Sequence, residues 1–397
     1  MIYTLTASRD ATIYEGSGAS TGLSTKWMNT GGDEILERGK IISSSQTVNT
    51  YNSRMLLYFP IDWSVIGTAS YWTTASDAYL NLFATEGAAI PRSHSLSIHP
   101  VSKNWDVGIG RAGNRPKTTD GVSWINYKGE DTTGQAWTTA SFATGETGSN
   151  GVTNKGGGNW WTSSVAVHEY NYNTNPNESL DMRVDVKNIL SDWSSSVIDN
   201  NGFIVKLSGS FGYGSSAVSQ SSFEHDKYKY GMIQYFSRNT HTIYPPKLEI
   251  CWNDKVYNTG SLSVLNMDDP GNVFFYIKRN RGAYKRGSKI RFYVPGRIKY
   301  PVKTYGNTSA NLAINHVTES ANICYSIIDV KTNEVVIPHD NTYTHLSCHS
   351  TLGNYFEIYS DSLFEDRDYR IQLRYRETTA SVDYSYFDIK DTFKVVR

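Results

Sequence analysis

Apolar and polar residues alternate with a period of two along several stretches of the chain, and this alternation predicts β-strands. In one stretch Ala78, Leu80 and Leu82 share one face, while the residues between them share the other. Successive side chains of a strand point to opposite faces, so the pattern indicates sheet rather than helix. In the first part of the chain, strand-like stretches cover residues 53–59, 77–83, 95–101, 202–207 and 247–252.

A second series of strand-like segments follows residue 252, with turn residues at regular intervals. These segments cover residues 272–278, 289–294, 323–330, 355–359, 369–375 and 384–395. The polar segment Asn253-Asp254-Lys255 separates the two series. We therefore predict one domain over residues 1–255 and a second over residues 256–397. The number of strands in the second domain suits an immunoglobulin-like sandwich.

One segment has the spacing of a helix instead. Val186, Ile189, Leu190 and Trp193 recur at positions i, i+3, i+4 and i+7, which places them in one apolar stripe over two helical turns. Asp185, just before them, is a residue type that caps helix starts. The sequence therefore predicts a single short helix beginning near Asp185.

The stretch from residue 104 to residue 175 has no regular periodicity and combines small polar residues with large rings. We interpret it as a long loop insertion, and loops of that length usually carry function or form interfaces. Its rings could stack on sugars, anchor a protein interface or fill the core. We predict a contact surface, with Trp160 and Trp161 buried against a neighbouring subunit beside a flexible Gly156-Gly157-Gly158 tip. The candidate binding residues are Trp105, Trp124, Trp137, Trp160, Trp161, Tyr170 and Tyr172.

Composition mainly excludes classes of protein. The 28 Tyr, 14 Phe and 10 Trp suit half-buried pleated surfaces. The 38 basic and 38 acidic residues cancel, so net charge gives no argument for nucleic acid or an anionic membrane. No apolar stretch approaches the ~20 residues of a membrane-spanning helix. The first residues lack the basic and apolar regions of a secretory signal, so we expect no signal peptide and no membrane partner.

Three cysteines, Cys251, Cys324 and Cys348, show no CxxC spacing. We therefore predict free, buried thiols made in a reducing cytoplasm. A Cys324–Cys348 bridge stays open as an alternative.

The basic residues are unevenly distributed in one segment. From Lys278 to Lys303 there are ten basic residues and no acidic one. Aromatic residues interleave with them, as in single-strand nucleic-acid binders, but no nucleic-acid fold signature accompanies the segment. An acidic protein neighbour, or a solvated sheet face, is therefore the favoured interpretation. The predicted docking patch comprises Lys278, Arg279, Arg281, Lys285, Arg286, Lys289 and Arg291.

No motif in the sequence predicts catalysis. The acidic pairs lie in turns, whereas a glycosidase needs two carboxylates converging across a cleft. The glycine run at 156–158 lacks the Lys-Ser/Thr of a phosphate loop, and neither nucleophile elbow nor zinc-protease motif occurs. A group of potential ligands fits no zinc spacing, and its histidines are interpreted as surface loop residues: His339, Asp340, His345, Cys348 and His349. We expect no enzyme activity, no metal and no cofactor.

Ordered segments of the first region resemble the DNRLRE family, a β-sandwich similar to carbohydrate-binding modules. Arg54-Met55-Leu56-Leu57-Tyr58-Phe59 resembles its Arg-x-Leu-Leu-x-Phe strand. The likeness covers roughly residues 5–253 and implies a jelly-roll-like sandwich; the insertion departs from the family pattern. Further matching segments are residues 10–16, 78–83, 101–106, 114–116 and 122–124 in rearranged order, 184–186 with Trp193, 201–203, 236–238 and 246–250.

The second region resembles Ig-like repeats of extracellular and phage proteins, through residues 284–292, 327–336 and 363–371. The pairing of the two domains resembles virion structural proteins of tailed phages.

From this resemblance we expect an all-β chain, with a jelly-roll-like sandwich followed by an Ig-like sandwich. The expected function is that of a non-enzymatic virion component at the neck, tail, baseplate or fibre, made in the host cytoplasm. Its expected partners are other virion proteins in a homo- or hetero-oligomeric assembly, and nucleic acid is not an expected partner. The alternative is a glycan-binding module that attaches to a polysaccharide or host surface; a polysaccharide lyase or glycosidase ranks third.

Overall fold

The structure is a computed structural model, and the residues it describes fold almost entirely into β-strands. The described residues are 1–15, 25–42, 50–66, 76–88, 90, 92–138, 141–149, 156–171, 179–208, 224, 228–300, 314–318, 322–376 and 383–397. Two of the residues singled out above, Tyr172 and Lys303, lie outside them. The prediction of an all-β fold with sandwich-like sheets is confirmed.

Contacts divide the chain into two compact units. The N-terminal unit comprises Leu5–Val65 and Asp77–Glu249. The C-terminal unit comprises Ile250–Arg397 together with Met1–Thr4 and the described residues of Ile66–Ser76. This division falls a few residues before the predicted 255/256 boundary. Separate folding of the two domains stays a prediction.

The first sixteen strands include all five strand-like stretches predicted in the first part of the chain, which lie in β4, β5, β7, β14 and β16. The strands are β1 Ile2–Thr6, β2 Arg9–Tyr14, β3 Ile35–Ile42, β4 Thr50–Tyr58, β5 Asp77–Leu82, β6 Ala84–Ala88, β7 His94–Pro100, β8 Asn126–Lys128, β9 Gln135–Ala136, β10 Glu146–Ser149, β11 Gly156–Trp161, β12 Ala166–Tyr170, β13 Met182–Asp185, β14 Phe203–Leu207, β15 Gly231–Phe236 and β16 Lys247–Cys251. The helices in this part are α1 Trp63–Ile66, α2 Lys187–Ser194 and single 3-10 turns at Thr25–Trp27 and Asp131–Thr133.

An eight-stranded sheet dominates the N-terminal unit. Its order is β12-β7-β14-β4-β3-β15-β6, with β2 also paired to β4. A four-stranded sheet has the order β1-β16-β5-β13. Leu56 and Leu57 are adjacent on β4 and both fully buried. Because neighbouring residues of a strand face opposite ways, both faces of the large sheet are covered here.

The region predicted as a loop insertion covers one of these faces. It contains five short strands, β8 to β12, among its described residues. Its rings pack in one cluster with Ala11, Leu56 and Ile204 of the sheet. The expectation of a region without regular structure is therefore wrong, because the strands are two to six residues long and too short to show periodicity.

The predicted helix is confirmed as α2, with Ile189, Leu190 and Trp193 buried. Asp185 acts at its start, since its Oδ1 accepts the backbone N–H of Lys187 at 2.8 Å. The predicted alternation on β5 is also confirmed by its alternating burial pattern.

The C-terminal unit is a sandwich, and each of its six predicted strands overlaps an observed one. A five-stranded sheet, β19-β28-β27-β23-β24, and a three-stranded sheet, β20-β26-β25, contribute side chains to one shared core, and a four-stranded sheet has the order β17-β22-β21-β18. Phe292 of the small sheet lies 4.7 Å from Phe393 of the large one, between ring centroids. The strands are β17 Ser263–Val264, β18 Val273–Phe275, β19 Ala283–Lys285, β20 Lys289–Tyr293, β21 Gly296–Ile298, β22 Asn315–His316, β23 Asn322–Asp329, β24 Val335–Ile337, β25 Ser347–His349, β26 Gly353–Tyr359, β27 Asp368–Arg376 and β28 Ser385–Val396, with 3-10 turns at Pro270–Asn272 and Ser360–Ser362.

Candidate functional site

A basic groove of about 470 Å³ lies in the C-terminal unit, lined by β19, β20 and the turn before them. It brings together five of the seven predicted docking residues: Arg279, Arg281, Lys285, Lys289 and Arg291. The sequence placed these cations in one segment, and the fold brings them to one concave surface.

Alternation on β20 points its cations into the groove. Ile290 and Phe292 are buried in the core of the unit. Lys289 and Arg291 therefore share the opposite face, where both are exposed.

The turn that carries the two other arginines has a fixed conformation. Arg279 has a φ of 63° and Gly282 a φ of 75°, both in the left-handed region. The side-chain oxygen of Asn280 accepts the backbone N–H of Gly282 at 3.0 Å. The hydroxyl of Tyr284 accepts the backbone N–H of Arg281 at 3.1 Å. These bonds hold Arg279 and Arg281 at the groove without using their guanidinium groups.

One carboxylate serves two of the groove cations. Glu357 on β26 accepts Lys289 Nζ at 2.7 Å and Arg291 Nη2 at 2.6 Å. Partial burial favours the protonated form of Glu357, but the hydrogen bonds and charges of Lys289 and Arg291 outweigh it, so the pKa of Glu357 is lowered. The carboxylate is thus held ionised. Its single negative charge neutralises only one of the two positive charges of Lys289 and Arg291.

The other three cations lack an acidic partner within the described part of the chain. Arg279, Arg281 and Lys285 are exposed and form no ion pair with any residue that the structure describes. Arg286 lies outside the groove lining and pairs with Glu365 at 2.7 Å. The groove therefore carries an excess of positive charge that suits an anionic partner.

The aromatic residues at the groove mainly support its walls. The Tyr284 ring lies 5.4 Å from Phe292 and 6.0 Å from Phe393, so it belongs partly to the core. Arg291 lies over the ring of Tyr355 at 4.8 Å from the centroid. These contacts hold the rings and restrain Arg291 at the groove.

Most of the aromatic residues predicted to form a contact surface lie in the core instead. Four of its rings are at most 3% exposed and form part of the core of the N-terminal unit: Trp105, Trp124, Trp137 and Trp160. The expectation that Trp160 buries against a neighbouring subunit is wrong. Its ring lies 5.2 Å from the Arg54 guanidinium and 5.3 Å from Lys206 Nζ, within the same unit.

Tyr170 is also buried, and its hydroxyl contacts that of Tyr235 and donates to the Leu180 carbonyl at 3.1 Å. Trp161 is the partly exposed member of the set. An exposed ring surface is thus reduced to one described residue.

The glycine run explains why Trp160 turns inward. Gly156, Gly157 and Gly158 all have positive φ and lie in strand β11 rather than in a flexible tip. The N–H of Gly157 donates to the Trp124 carbonyl at 2.5 Å, and a Cβ on Gly156 would come within 2.1 Å of that oxygen. The three consecutive glycines therefore serve close backbone approach, and the prediction of a flexible tip is wrong.

Sequence reasoning also missed a buried charge cluster beneath Trp160. Arg54 makes a two-pronged pair with Glu224, with Nε–Oε1 and Nη2–Oε2 distances of 2.9 and 2.8 Å. Lys206 Nζ lies 3.8 Å from the same carboxylate. Burial lowers the pKa of Lys206, opposed by the charge of Glu224. All three side chains are buried, and Arg54 also donates to the Gly157 carbonyl in β11, which connects the cluster to that strand.

Within the described residues, the cysteines and the histidine group form no metal or disulfide site, and His349 lies in strand β25 rather than in the predicted surface loop. Cys251, Cys324 and Cys348 are free and buried, as predicted, so Cys324 and Cys348 do not pair. Burial raises the pKa of Cys324 to about 11 and that of Cys348 to about 11. Among the described residues, no group of three or more His, Cys, Asp or Glu side chains could hold a metal ion.

Comparison with protein-family models gives no match for this sequence. Comparison with curated proteins gives no match either. Within the described parts of the chain, no helix is both long and apolar enough to cross a membrane.

Proposed function

We propose that this chain is a non-enzymatic structural component of a tailed-phage virion, docked onto an acidic surface of a neighbouring subunit through the basic groove. The observation that carries the docking is the set of unmatched cations Arg279, Arg281 and Lys285 beside the shared carboxylate Glu357. Gathering like charges in one concavity is unfavourable in the isolated chain. Carboxylates from a partner would offset that cost and set the orientation of docking.

The placement in a virion is supported by the pairing of a DNRLRE-like region with an Ig-like region, which resembles virion structural proteins of tailed phages. The all-β architecture of two contact units is of the kind expected for that class. The glycan-binding alternative has less support, because Trp105, Trp124, Trp137 and Trp160, proposed to stack on sugars, are buried inside the N-terminal unit.

A charge-removal experiment tests this function. The variant Arg279→Gln, Arg281→Gln, Lys285→Gln is produced in place of the wild-type chain during particle assembly. Its matched control, Arg111→Gln, Lys331→Gln, Lys390→Gln, removes the same charge from exposed positions outside the groove. Circular dichroism checks that both variants fold, and quantitative mass spectrometry of purified particles measures incorporation.

We expect the groove variant to be depleted from particles and the control to be incorporated like the wild type. Equal incorporation of the groove variant would contradict docking through the groove. Absence of the wild-type chain from purified particles would contradict the virion assignment itself.

A further inference from the structure

The basic groove lies where two sheets end. Strand β20 is the outermost strand of its three-stranded sheet, and β19 is the outermost strand of the five-stranded sheet. Among the described strands each has one partner, β26 for β20 and β28 for β19. On the other side of β20, the described residues provide one isolated bridge, between Lys278 and Tyr293. Exposed strand edges are templates for pairing with another chain.

The alternation of hydrogen-bonded positions along β20 shows which of its backbone groups point away from β26. Val294 N–H donates to Asn354 O at 2.7 Å, and Ser360 N–H donates to Ser288 O at 3.0 Å. In an antiparallel pair such bonds recur at every second residue, so the even-numbered positions of β20 face β26. The N–H and C=O of Arg291 must then point to the opposite, open side. On that side Lys278 N–H already bonds Tyr293 O at 2.9 Å, which confirms the direction.

Alternate residues of β19 likewise form the hydrogen bonds to β28. Lys394 N–H donates to Gly282 O at 2.7 Å, and Arg286 N–H donates to Val396 O at 2.8 Å. Even-numbered residues therefore bond β28, and the backbone of Ala283 points away from it. Ala283 also lines the groove. Backbone groups that have no hydrogen-bond partner among the described residues therefore face the same concavity as the unmatched cations.

The side-chain charges on β20 are matched on one side only. Arg291 lies directly across from Glu357 on β26. On the open side, no acidic residue among those that the structure describes lines the groove. Opposite charges directly across neighbouring strands are stabilising, whereas like charges are not. A strand added at the open edge would therefore be favoured if it carried an acidic side chain beside Arg291.

From these features we infer that the groove receives an extended acidic segment of a neighbouring protein, which pairs with the open edge of β20 as an added β-strand. This inference rests on the docking function proposed above and names its mode and partner chemistry. Backbone hydrogen bonds would supply the pairing, and acidic residues at alternate positions would face the cations. Nucleic acid fits less well, because its phosphates could match the cations but could not supply the alternating N–H and C=O groups that pair with the open edge of β20.

The test uses the full-length chain and a synthetic peptide in which Glu alternates with Thr. Two further peptides have the same sequence, one with the nitrogens of the Glu residues methylated and the other with those of the Thr residues methylated. Each lacks the N–H donors along one edge of the strand and keeps the charge. A single-stranded oligonucleotide is the last probe. Fluorescence anisotropy gives the dissociation constants, and amide hydrogen exchange reports protection at Arg291.

We expect the acidic peptide to bind, to protect the Arg291 amide, and to lose at least ~10-fold in affinity when its edge-facing nitrogens are methylated. If the two methylated peptides bound with the same affinity as each other, the edge that is methylated would not matter. That result would overturn strand addition while leaving charge-driven docking intact. Preferential binding of the oligonucleotide, or no binding of the acidic peptide, would also overturn it. The particle-incorporation experiment reports separately on the proposed function.

A pair of variants separates backbone from charge on the protein side. Arg291→Gln removes the charge and keeps the outward N–H, whereas Arg291→Pro removes both, at an edge position where proline is tolerated. We expect the proline variant to bind the acidic peptide at least ~10-fold more weakly than the glutamine variant. Equal affinities would contradict the inference, and if the proline variant fails to fold, the methylated peptides decide.

Discussion

At the residue scale, Asp10 is a buried carboxyl whose protonation is tied to folding. It is 1% exposed, and its Oδ2 accepts the backbone N–H of Arg238 at 2.6 Å. Burial raises the pKa of Asp10 to about 7 against an ordinary value of 3.8, although the hydrogen bond and charge of Arg238 oppose the shift. The folded protein therefore binds this proton more tightly than the unfolded chain does.

This shift predicts a pH dependence of stability that Asp10→Asn removes. Because the folded pKa lies above the unfolded one, the stabilising contribution is complete below pH 3.8 and is lost as the pH rises through about 7. Relative to Asp10→Asn, the wild type should lose up to ~4 kcal/mol over that range. Urea unfolding at several pH values measures it. Asp120→Asn, at an exposed position of the same unit, is the control, and parallel stability curves for wild type and Asp10→Asn would contradict the shift.

In the buried cluster of Arg54, Lys206 and Glu224, attraction between opposite charges is set against the cost of removing them from water. Two cations share one carboxylate, and Arg54 also donates to the carbonyl of Gly157. Desolvating such groups is costly, so the cluster is weak grounds for high stability. Its consequence is positional, since Arg54 connects the face of the large sheet to strand β11 above it.

At the scale of elements, β11 shows how a short strand without alternation can be essential. Its first five residues, Gly156 to Trp160, are all buried, and only Trp161 is partly exposed. The absence of side chains on the glycines lets the strand approach Trp124 closely. Trp160 then fills the space between the strand and the large sheet.

Replacing the two neighbouring tryptophans of β11 should therefore have unequal effects. Trp160→Ala opens a cavity in the core and should reduce the free energy of unfolding by ~3–5 kcal/mol. Trp161→Ala removes a partly exposed ring and should cost clearly less. Denaturant unfolding of the isolated chain compares them. Similar small losses for both would restore the hypothesis that Trp160 is an interface residue.

At the scale of the whole molecule, residues far apart in sequence build the C-terminal unit. Ile2 is 3% exposed and belongs to the same core cluster as Ile290 and Phe356. Tyr3 packs edge-on against Tyr359 at 5.4 Å between ring centroids. The C-terminal unit thus includes side chains from a strand at the other end of the sequence.

This composition predicts that Ile2→Ala destabilises the C-terminal unit. Loss of a buried isoleucine side chain costs ~2–5 kcal/mol. Hydrogen exchange of the full-length chain should show the loss at core amides of β26 and β27. Thr4→Ala, on the same strand and only partly buried, is the control. Exchange at those amides that is unchanged in Ile2→Ala would show that residues 250–397 do not depend on this contact.

Several features were predictable because they depend on local periodicity. The alternation of Ala78, Leu80 and Leu82 is a direct consequence of strand geometry, and the stripe of α2 is one of helix geometry. The basic patch was also visible, because its cations are close in sequence. Five of its seven members line one groove for that reason.

What the sequence by itself determined, then, is the all-β class, the short helix and the segment that forms the basic groove. Only the tertiary structure decided that Trp160 faces the core, that Arg54 meets Glu224, and that the backbone of Arg291 lies at an open sheet edge. Periodicity reports which face of an element is apolar, but not what covers that face. Covering depends on contacts between residues distant in the chain, and their energies appear only when the layers are assembled.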